Sequence, residues 1–305
     1  MPKEGDLSSM ITRRTLLKGM GTAFISLSAA RLGLELERRP TVFEEARRAM
    51  GGPFRITTVG SDRPHLKSAV KAGFEEVWRL EELMTIYKSE SEISRLNIWG
   101  EAQLSSESMD ILKKSIVFSQ ATNGAFDVTL GAFENLVVGS DFARFNKQGM
   151  SVDLGGIGIG YAVDRIVEAL KKMGVKSALV DGGGEVKSIG SKTDGTAWRV
   201  GIRNPFQKTG FSRVIALEGA SISTSGNYVT SHIIDPRTGR VPEGLASATI
   251  IGKDATTADA MSTAVFVLGP EAGLDVIEKT PGLEGLLVTS TGKIIESSGF
   301  NQYTV

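Results

Sequence analysis

Between Ser177 and Leu217 glycine interrupts the chain so often that only short extended segments fit between the turns: Ser177–Val180, Glu185–Ile189, Trp198–Ile202 and Val214–Leu217. Short strands separated by glycine-rich turns pair as hairpins. Elsewhere the period changes. Ala69, Val70, Phe74, Val77, Trp78 and Leu83 recur at helical spacing, which predicts an amphipathic helix from Pro64 to Met84. A second helix is expected around Ser106 to Ala121, stopped by Asn123-Gly124, and a third from Gly160 to Met173, stopped by Gly174. Further on, the pattern predicts a strand at Ala246–Ile251, helices from about Thr257 to Leu268 and from Pro270 to Thr280, and a closing hairpin from Gly285 to Glu296. Phe54 to Val59 alternates as a strand, and Phe142 to Leu154 reads as a hairpin pivoting at Lys147-Gln148-Gly149. Residues 31–48 are charged, lack strand patterning and read as a connector with one helical turn. Long helices mixed with hairpin strands predict an α+β fold, with largely antiparallel β-sheets carrying packed helices on one face.

The chain has 305 residues, with Lys plus Arg equal to Asp plus Glu at 35 each. That balance leaves no basic footprint for a nucleic-acid partner. Cysteine is absent, which excludes disulfides, thiolate metal sites, a cysteine nucleophile and a lipid-modified N-terminal cysteine. Residues 1–36 read as signal and linker, and 37–305 as a single domain. Arg13-Arg14, followed by a short apolar run from Gly19 that ends in Ser28-Ala29-Ala30, resembles a twin-arginine export signal. The other reading of this segment is an ordinary helix beginning near Thr12. The export reading places the folded protein in the periplasm or on the outer face of the cytoplasmic membrane, carried there by the twin-arginine machinery and not as a lipoprotein.

Several groups of residues bear chemistry. Asp259, Ser262 and Thr263 stand at i, i+3 and i+4, on one face of a helix whose other residues are small or apolar. A carboxylate with two hydroxyls there suits a hard, oxygen-seeking cation such as Mg²⁺, or equally an N-terminal capping arrangement. Asp153-Leu154-Gly155-Gly156-Ile157-Gly158-Ile159-Gly160 reads as strand, glycine turn and helix start, able to cradle a phosphate or simply to pack tightly. Asn123 through Thr129, Asp181 through Glu185 and Ser223 through Tyr228 each join glycine to oxygen-bearing side chains, which is also ordinary turn chemistry. Of the two histidines, His65 opens a long helix and reads as a surface residue. His232 runs into Asp235-Pro236 and fits either a core position or a general base. Tyr87 could stack on a planar ring or seal the edge of the core.

Taken in order, Met50-Gly51-Gly52, Tyr87 to Asn97, Gly124 to Thr129, Asp153 to Asp164, Asp181 to Glu185, Ser223 to Tyr228, His232 to Gly239 and Ala258 to Thr263 resemble the FAD:protein FMN transferase, or ApbE, family. The resemblance runs from about residue 48 to 300. It implies an ApbE-like, T-fold-like architecture and an enzyme that cleaves FAD. FMN would pass by a phosphoester bond to a Thr or Ser of an exported acceptor, an electron-transfer protein, and AMP would leave. It further implies Mg²⁺ held by Asp259, Thr263, Ser262 and Gly156, and His232 assisting the incoming hydroxyl. The FAD contacts it implies are Met50, Tyr87, Ala125, Phe126, Asp127, Asp153, Ile159 and Ile234. Ile159 stands where the family usually has Lys or Glu, so a polar hold on the dinucleotide is missing. The segment between Asp127 and Asp153 is also shorter than in many members. The alternatives are a Mg²⁺-dependent FAD pyrophosphatase yielding FMN and AMP, and an exported FAD-binding protein without turnover.

Overall fold

The computed structural model describes residues 40–207, 209–227 and 233–305. In chain order these form β1 (Thr41–Ala49), β2 (Gly52–Gly60), α1 (Arg63–Met84), α2 (Glu92–Trp99), β3 (Glu101–Gln103), α3 (Ser106–Ala121), β4 (Leu136–Val138), β5 (Phe142–Phe145) and α4 (Gly158–Lys172). There follow β6 (Ala178–Asp181), β7 (Val186–Ile189), β8 (Trp198–Arg203), β9 (Phe211–Leu217), β10 (Ser221–Ser225), β11 (Leu245–Gly252), α5 (Ala255–Leu268), α6 (Pro270–Lys279), β12 (Glu284–Thr289) and β13 (Ile294–Glu296).

The main sheet has eight strands in the order β1-β2-β6-β7-β10-β11-β12-β13, each antiparallel to its neighbours. The protein is therefore an α+β fold, as the mixture of long helices and hairpins predicts. One face of the sheet carries α1, α4, α5 and α6. The periodic residues of α1 turn inward, with Leu66, Ala69, Val70, Phe74, Val77, Leu80 and Met84 buried. They join Phe54 and Ile56 of β2 and Ile166 and Leu170 of α4 in the largest apolar cluster. Each such aliphatic or aromatic side chain contributes about 1.5–3 kcal/mol by leaving water. The opposite face is covered over part of its width by the β8–β9 hairpin. There Trp198, Ile202, Ile215 and Leu217 meet Ile222, Ile251 and Leu286 from the sheet.

Three local readings change. Thr41–Ala49 is a strand and not a connector, paired with β2 from Thr41↔Gly60 to Ala49↔Gly52. Its charged residues Glu44, Arg47 and Arg48 are exposed because β1 is the sheet's edge, where charge also discourages pairing with another chain. Hydrophobic alternation is weak on such a strand, and the ladder to β2 holds it. Phe142–Phe145 does not fold back on residues 150–154; it pairs with β3 and β4 in a three-stranded sheet. Val152 instead meets the Asn97 side chain, donating its amide to Oδ1 at 2.7 Å and accepting from Nδ2 at 2.9 Å. One carboxamide thus takes the place of a neighbouring strand. Of the Ser223–Tyr228 group, read as turn chemistry, Ser223–Ser225 belong to β10, a central strand of the main sheet. The export-signal expectation for residues 1–36 lies outside the described residues, within which no helix is long and apolar enough to cross a membrane.

Candidate active site

α5 begins at Asp254, whose side chain accepts from the Thr257 amide, and its N-terminus is also held from α4. Asp164 accepts from the amides of Ala255 and Thr256 at 3.0 and 2.9 Å and pairs with Lys187 Nζ at 2.6 Å. The two helices touch at Gly160. A Cβ on that residue would lie 2.3 Å from the Ala255 carbonyl and 2.6 Å from Asp259 Cβ, so only glycine permits the approach. The approach brings the Gly160 amide, one of the unpaired donors at the α4 N-terminus, to Asp259 Oδ2 at 2.8 Å.

Asp259 is 4% exposed, and among the described residues this amide is the sole hydrogen-bond donor to its carboxylate. No Lys or Arg among the described residues forms an ion pair with it. Burial, with Glu185 and then Asp164 nearby, holds its carboxyl well above the usual carboxylate range, against the opposing Gly160 bond. Burial likewise pushes Glu185 up to about 7, with repulsion from Asp181 adding to it, while its own backbone and the Ser223 hydroxyl pull the other way.

Beside Asp259 lies a chain of hydroxyls. Ser225 Oγ is 2.8 Å from Ser262 Oγ and 3.1 Å from Thr263 Oγ1, and Ser223 Oγ is 3.2 Å from Ser262 Oγ. Ser223 donates to Glu185 Oε1 at 3.3 Å, and Ser262 donates to the Asp259 carbonyl at 2.9 Å. With the Ser223 proton given to Glu185, Ser262 shares its proton between Ser223 Oγ and the Asp259 carbonyl, and a consistent order then has Ser225 donating to Ser262 and Thr263 to Ser225. That order leaves lone pairs of Thr263 Oγ1 open to a ligand. Gly156 backs onto the same hydroxyl: a Cβ there would lie 3.2 Å from Thr263 Oγ1 and 3.3 Å from Phe126 Cε2.

From this pocket the segment Asp153–Gly160 leads to a cavity of about 410 Å³. Met50, Tyr87, Lys88, Asp153, Gly155 and Ile159 are among its lining residues. Tyr87 stands 91% exposed at the rim. Met50 and Gly51 turn β1 into β2 with φ of 49° and 80°, a two-residue hairpin turn in which both positions are left-handed. For a methionine that conformation costs about 1–2 kcal/mol, a strain of the kind that gathers at functional sites. Ile159 packs under the Asp181–Glu185 turn, where a Cβ on Gly182 would meet its Cγ2 at 2.7 Å.

The structure therefore brings Met50, Tyr87, Asp153 and Ile159 to one cavity, and Gly156, Asp259, Ser262 and Thr263 to the pocket behind it. Ala125 and Phe126 are buried, Phe126 against Gly156 and edge-on to Phe118. The segment is tied in by the Asp153 amide, which donates to the Val128 carbonyl at 2.8 Å. Asp127 has both carboxylate oxygens engaged. Oδ1 accepts from the Thr129 amide and hydroxyl, and Oδ2 from the amides of Gly131, Ala132 and Phe133. It organises the 127–133 loop, against which the turn at Pro236 packs; a Cβ on Gly131 would sit 2.5 Å from the Pro236 carbonyl oxygen. Ile234 is 40% exposed and does not line the cavity. His232 lies outside the described residues. Glu185, Ser225 and Lys88 join the site without having been singled out individually. The spacing of α5 gave no sign of the β10 serines, because their approach to Ser262 depends on sheet register.

Among the described residues no cluster of His, Cys, Asp or Glu forms a ready-made metal cage. A hard cation nonetheless fits: Asp259 is a buried carboxylate beside a second one, with no cationic partner and with hydroxyl oxygens at hand.

A family model described as ApbE family matches residues 50–144 and 132–287. The chain is similar to the FAD:protein FMN transferase of Escherichia coli (strain K12), 30% identical over 262 residues, covering 70% of this chain and 74% of that protein. Among solved structures it resembles the flavin transferase ApbE from Vibrio cholerae, with a TM-score of 0.78 and 25% identity over 87% of this chain and 99% of that one. The ApbE protein from Thermotoga maritima gives 0.80 and 27%, over 87% of this chain and 100% of the other.

Proposed function

The chain belongs to the ApbE family, and from that premise we propose that it is a Mg²⁺-dependent transferase that moves FMN from FAD to a Ser or Thr hydroxyl of an acceptor protein, releasing AMP. The observation that carries this reading is the continuity of the Asp153–Gly160 segment, which joins an open, aromatic-rimmed cavity to a buried carboxylate that has no cationic partner among the described residues. When bound, Mg²⁺ supplies charge neutralisation for the diphosphate and makes the phosphorus more electrophilic. Asp259, oriented by the Gly160 amide, and Thr263, with its proton given to Ser225, would hold it together with the backbone of Gly156.

The rest of the task is binding and alignment. Tyr87 offers a ring face at the cavity rim for stacking on a flavin or adenine ring, and Met50 provides an apolar contact held in place by its hairpin turn. The N-terminal turn of α4 opens at the same cavity through Gly158 and Ile159, and its dipole favours phosphate there. In the transfer, the bond between the FMN phosphorus and the bridging oxygen breaks and AMP departs with that oxygen. The acceptor hydroxyl forms the new phosphoester, and its proton passes to His232. Incubation with FAD, Mg²⁺ and a protein bearing an exposed Ser/Thr acceptor motif is expected to yield a covalent flavin adduct, seen as a mass increase of one FMN. Free FMN and AMP without any adduct would make the protein a pyrophosphatase instead.

Residues 1–36 are read as a twin-arginine signal that delivers the folded protein outside the cytoplasm, on the strength of Arg13-Arg14 and the short apolar run after it. Lysines in place of both arginines should leave the protein in the cytoplasmic fraction; unaltered export of that variant would remove this part of the reading.

A further inference from the structure

The cation pocket has an acidic group behind it that no spacing argument identifies. Glu185 stands at the end of the Asp181–Glu185 turn, one residue before β7. The β7–β10 ladder pairs Val186 with Ile222, so the next step along it sets Ser223 beside Glu185. Ser223 is fully buried and spans the gap, 3.3 Å from Glu185 Oε1 on one side and 3.2 Å from Ser262 Oγ on the other. Ser262 in turn binds the Asp259 carbonyl and lies 2.8 Å from Ser225, which reaches Thr263. One connected set of hydrogen bonds thus runs from Glu185 to each residue assigned to the cation on α5. The nearest lysine on the strand that follows, Lys187, is turned to Asp164 and does not neutralise Glu185. Glu185 is also close enough to Asp259 for its charge to help hold that carboxyl above the usual range.

We propose that Glu185 is a positioning residue of the cation pocket, which acts through Ser223 to orient the Ser262 and Thr263 hydroxyls and supplies the second negative charge that makes the pocket select a divalent cation. This rests on the assignment of a cation to Asp259. A carboxylate can only accept, so it takes the Ser223 proton; Ser262 must then be the donor in its contact with Ser223, which leaves Ser225 to donate to Ser262 and Thr263 to Ser225. A neutral amide at 185 can donate to Ser223 as well as accept from it, so that direction is lost along with one unit of charge.

The test is Mg²⁺ binding by calorimetry at one pH, without FAD, for wild type, Glu185→Gln, Ser223→Ala, the double variant and Asp259→Asn, with thermal unfolding in EDTA alongside. Glu185→Gln is expected to weaken Mg²⁺ by about 10- to 100-fold, Ser223→Ala by less, and the double variant no more than Glu185→Gln alone. In EDTA, Glu185→Gln should unfold at the same temperature as wild type or higher, because a like-charge repulsion has gone; a purely structural residue would lower it. Mg²⁺ affinity of Glu185→Gln within about twofold of wild type, while Asp259→Asn has lost binding, overturns the role of Glu185. Undiminished binding by Asp259→Asn would instead overturn the cation assignment beneath it.

Discussion

The pocket between α5 and β10 and the cavity at Met50 and Tyr87 are joined by eight or so residues of chain, yet they are built on opposite plans. In the pocket, Asp259, Ser262 and Ser223 are buried on a helix and a central strand, and each position is set by packing and by hydrogen bonds from other elements. At the cavity, Tyr87 is almost wholly exposed, Lys88 is turned to Glu82, and Met50 sits in a strained hairpin turn. The difference separates two tasks. Geometry around a small, hard cation has to be fixed in advance, whereas a large planar ligand can be gripped by side chains that lose little when it is absent. Substitutions in the pocket should therefore act on cation binding and turnover, and those at the rim on FAD affinity.

The largest effect expected is from Asp259→Asn, which keeps the shape and removes the charge: Mg²⁺ affinity in calorimetry should fall by more than about 100-fold. Next, Tyr87→Ala should weaken FAD by about 1–3 kcal/mol, or roughly 5- to 150-fold, in a fluorescence titration, while leaving Mg²⁺ affinity and melting temperature as they are. Equal losses in both ligands from either variant would break the division between the two regions. Met50→Asn sharpens it. Asn-Gly is the preferred pair for this turn, so the protein should gain up to about 1 kcal/mol in urea unfolding and yet bind FAD less well.

Much of the fold could be read from the sequence because its periods are strong: α1, α4 and α6 lie where apolar spacing and glycine stops place them. β1 was not legible, since an edge strand is held by its ladder and carries charges on its open side. β10 was not legible either, because Ser223 and Ser225 present their hydroxyls to a helix that only tertiary packing brings near, while Thr224 bonds Thr249 of the neighbouring strand. The same cause hid Glu185. Asp259, Ser262 and Thr263 were visible as a face of one helix, but the amide that orients Asp259 comes from Gly160 of another, through a contact that helical spacing does not record. Asp127 shows the converse. The resemblance implied an FAD contact there, and the structure adds that both its oxygens accept from the loop that follows it, the turn chemistry its glycine-flanked motif also allowed.

A smaller effect follows from the acids themselves. Asp259 and Glu185 both hold protons more tightly folded than unfolded, so the folded state binds more protons between the ordinary carboxylate range and about 7. Stability in EDTA should accordingly fall as pH rises through that window, and saturating Mg²⁺ should flatten the dependence. Melting temperatures at pH 5 and pH 8, with EDTA and with Mg²⁺, check the sign; stability that rises with pH in EDTA would mean that the two carboxylates are compensated by other charges.

The most direct measurement is AMP release from FAD by the protein lacking residues 1–36, in Mg²⁺ and in EDTA, with and without a Ser/Thr-bearing acceptor protein, and with Asp259→Ala in parallel. AMP that appears with Mg²⁺, is abolished by EDTA and by Asp259→Ala, and is matched by FMN on the acceptor is the result expected of this site. FAD bound without AMP release under any of these conditions, or AMP release that survives both EDTA and Asp259→Ala, would contradict it.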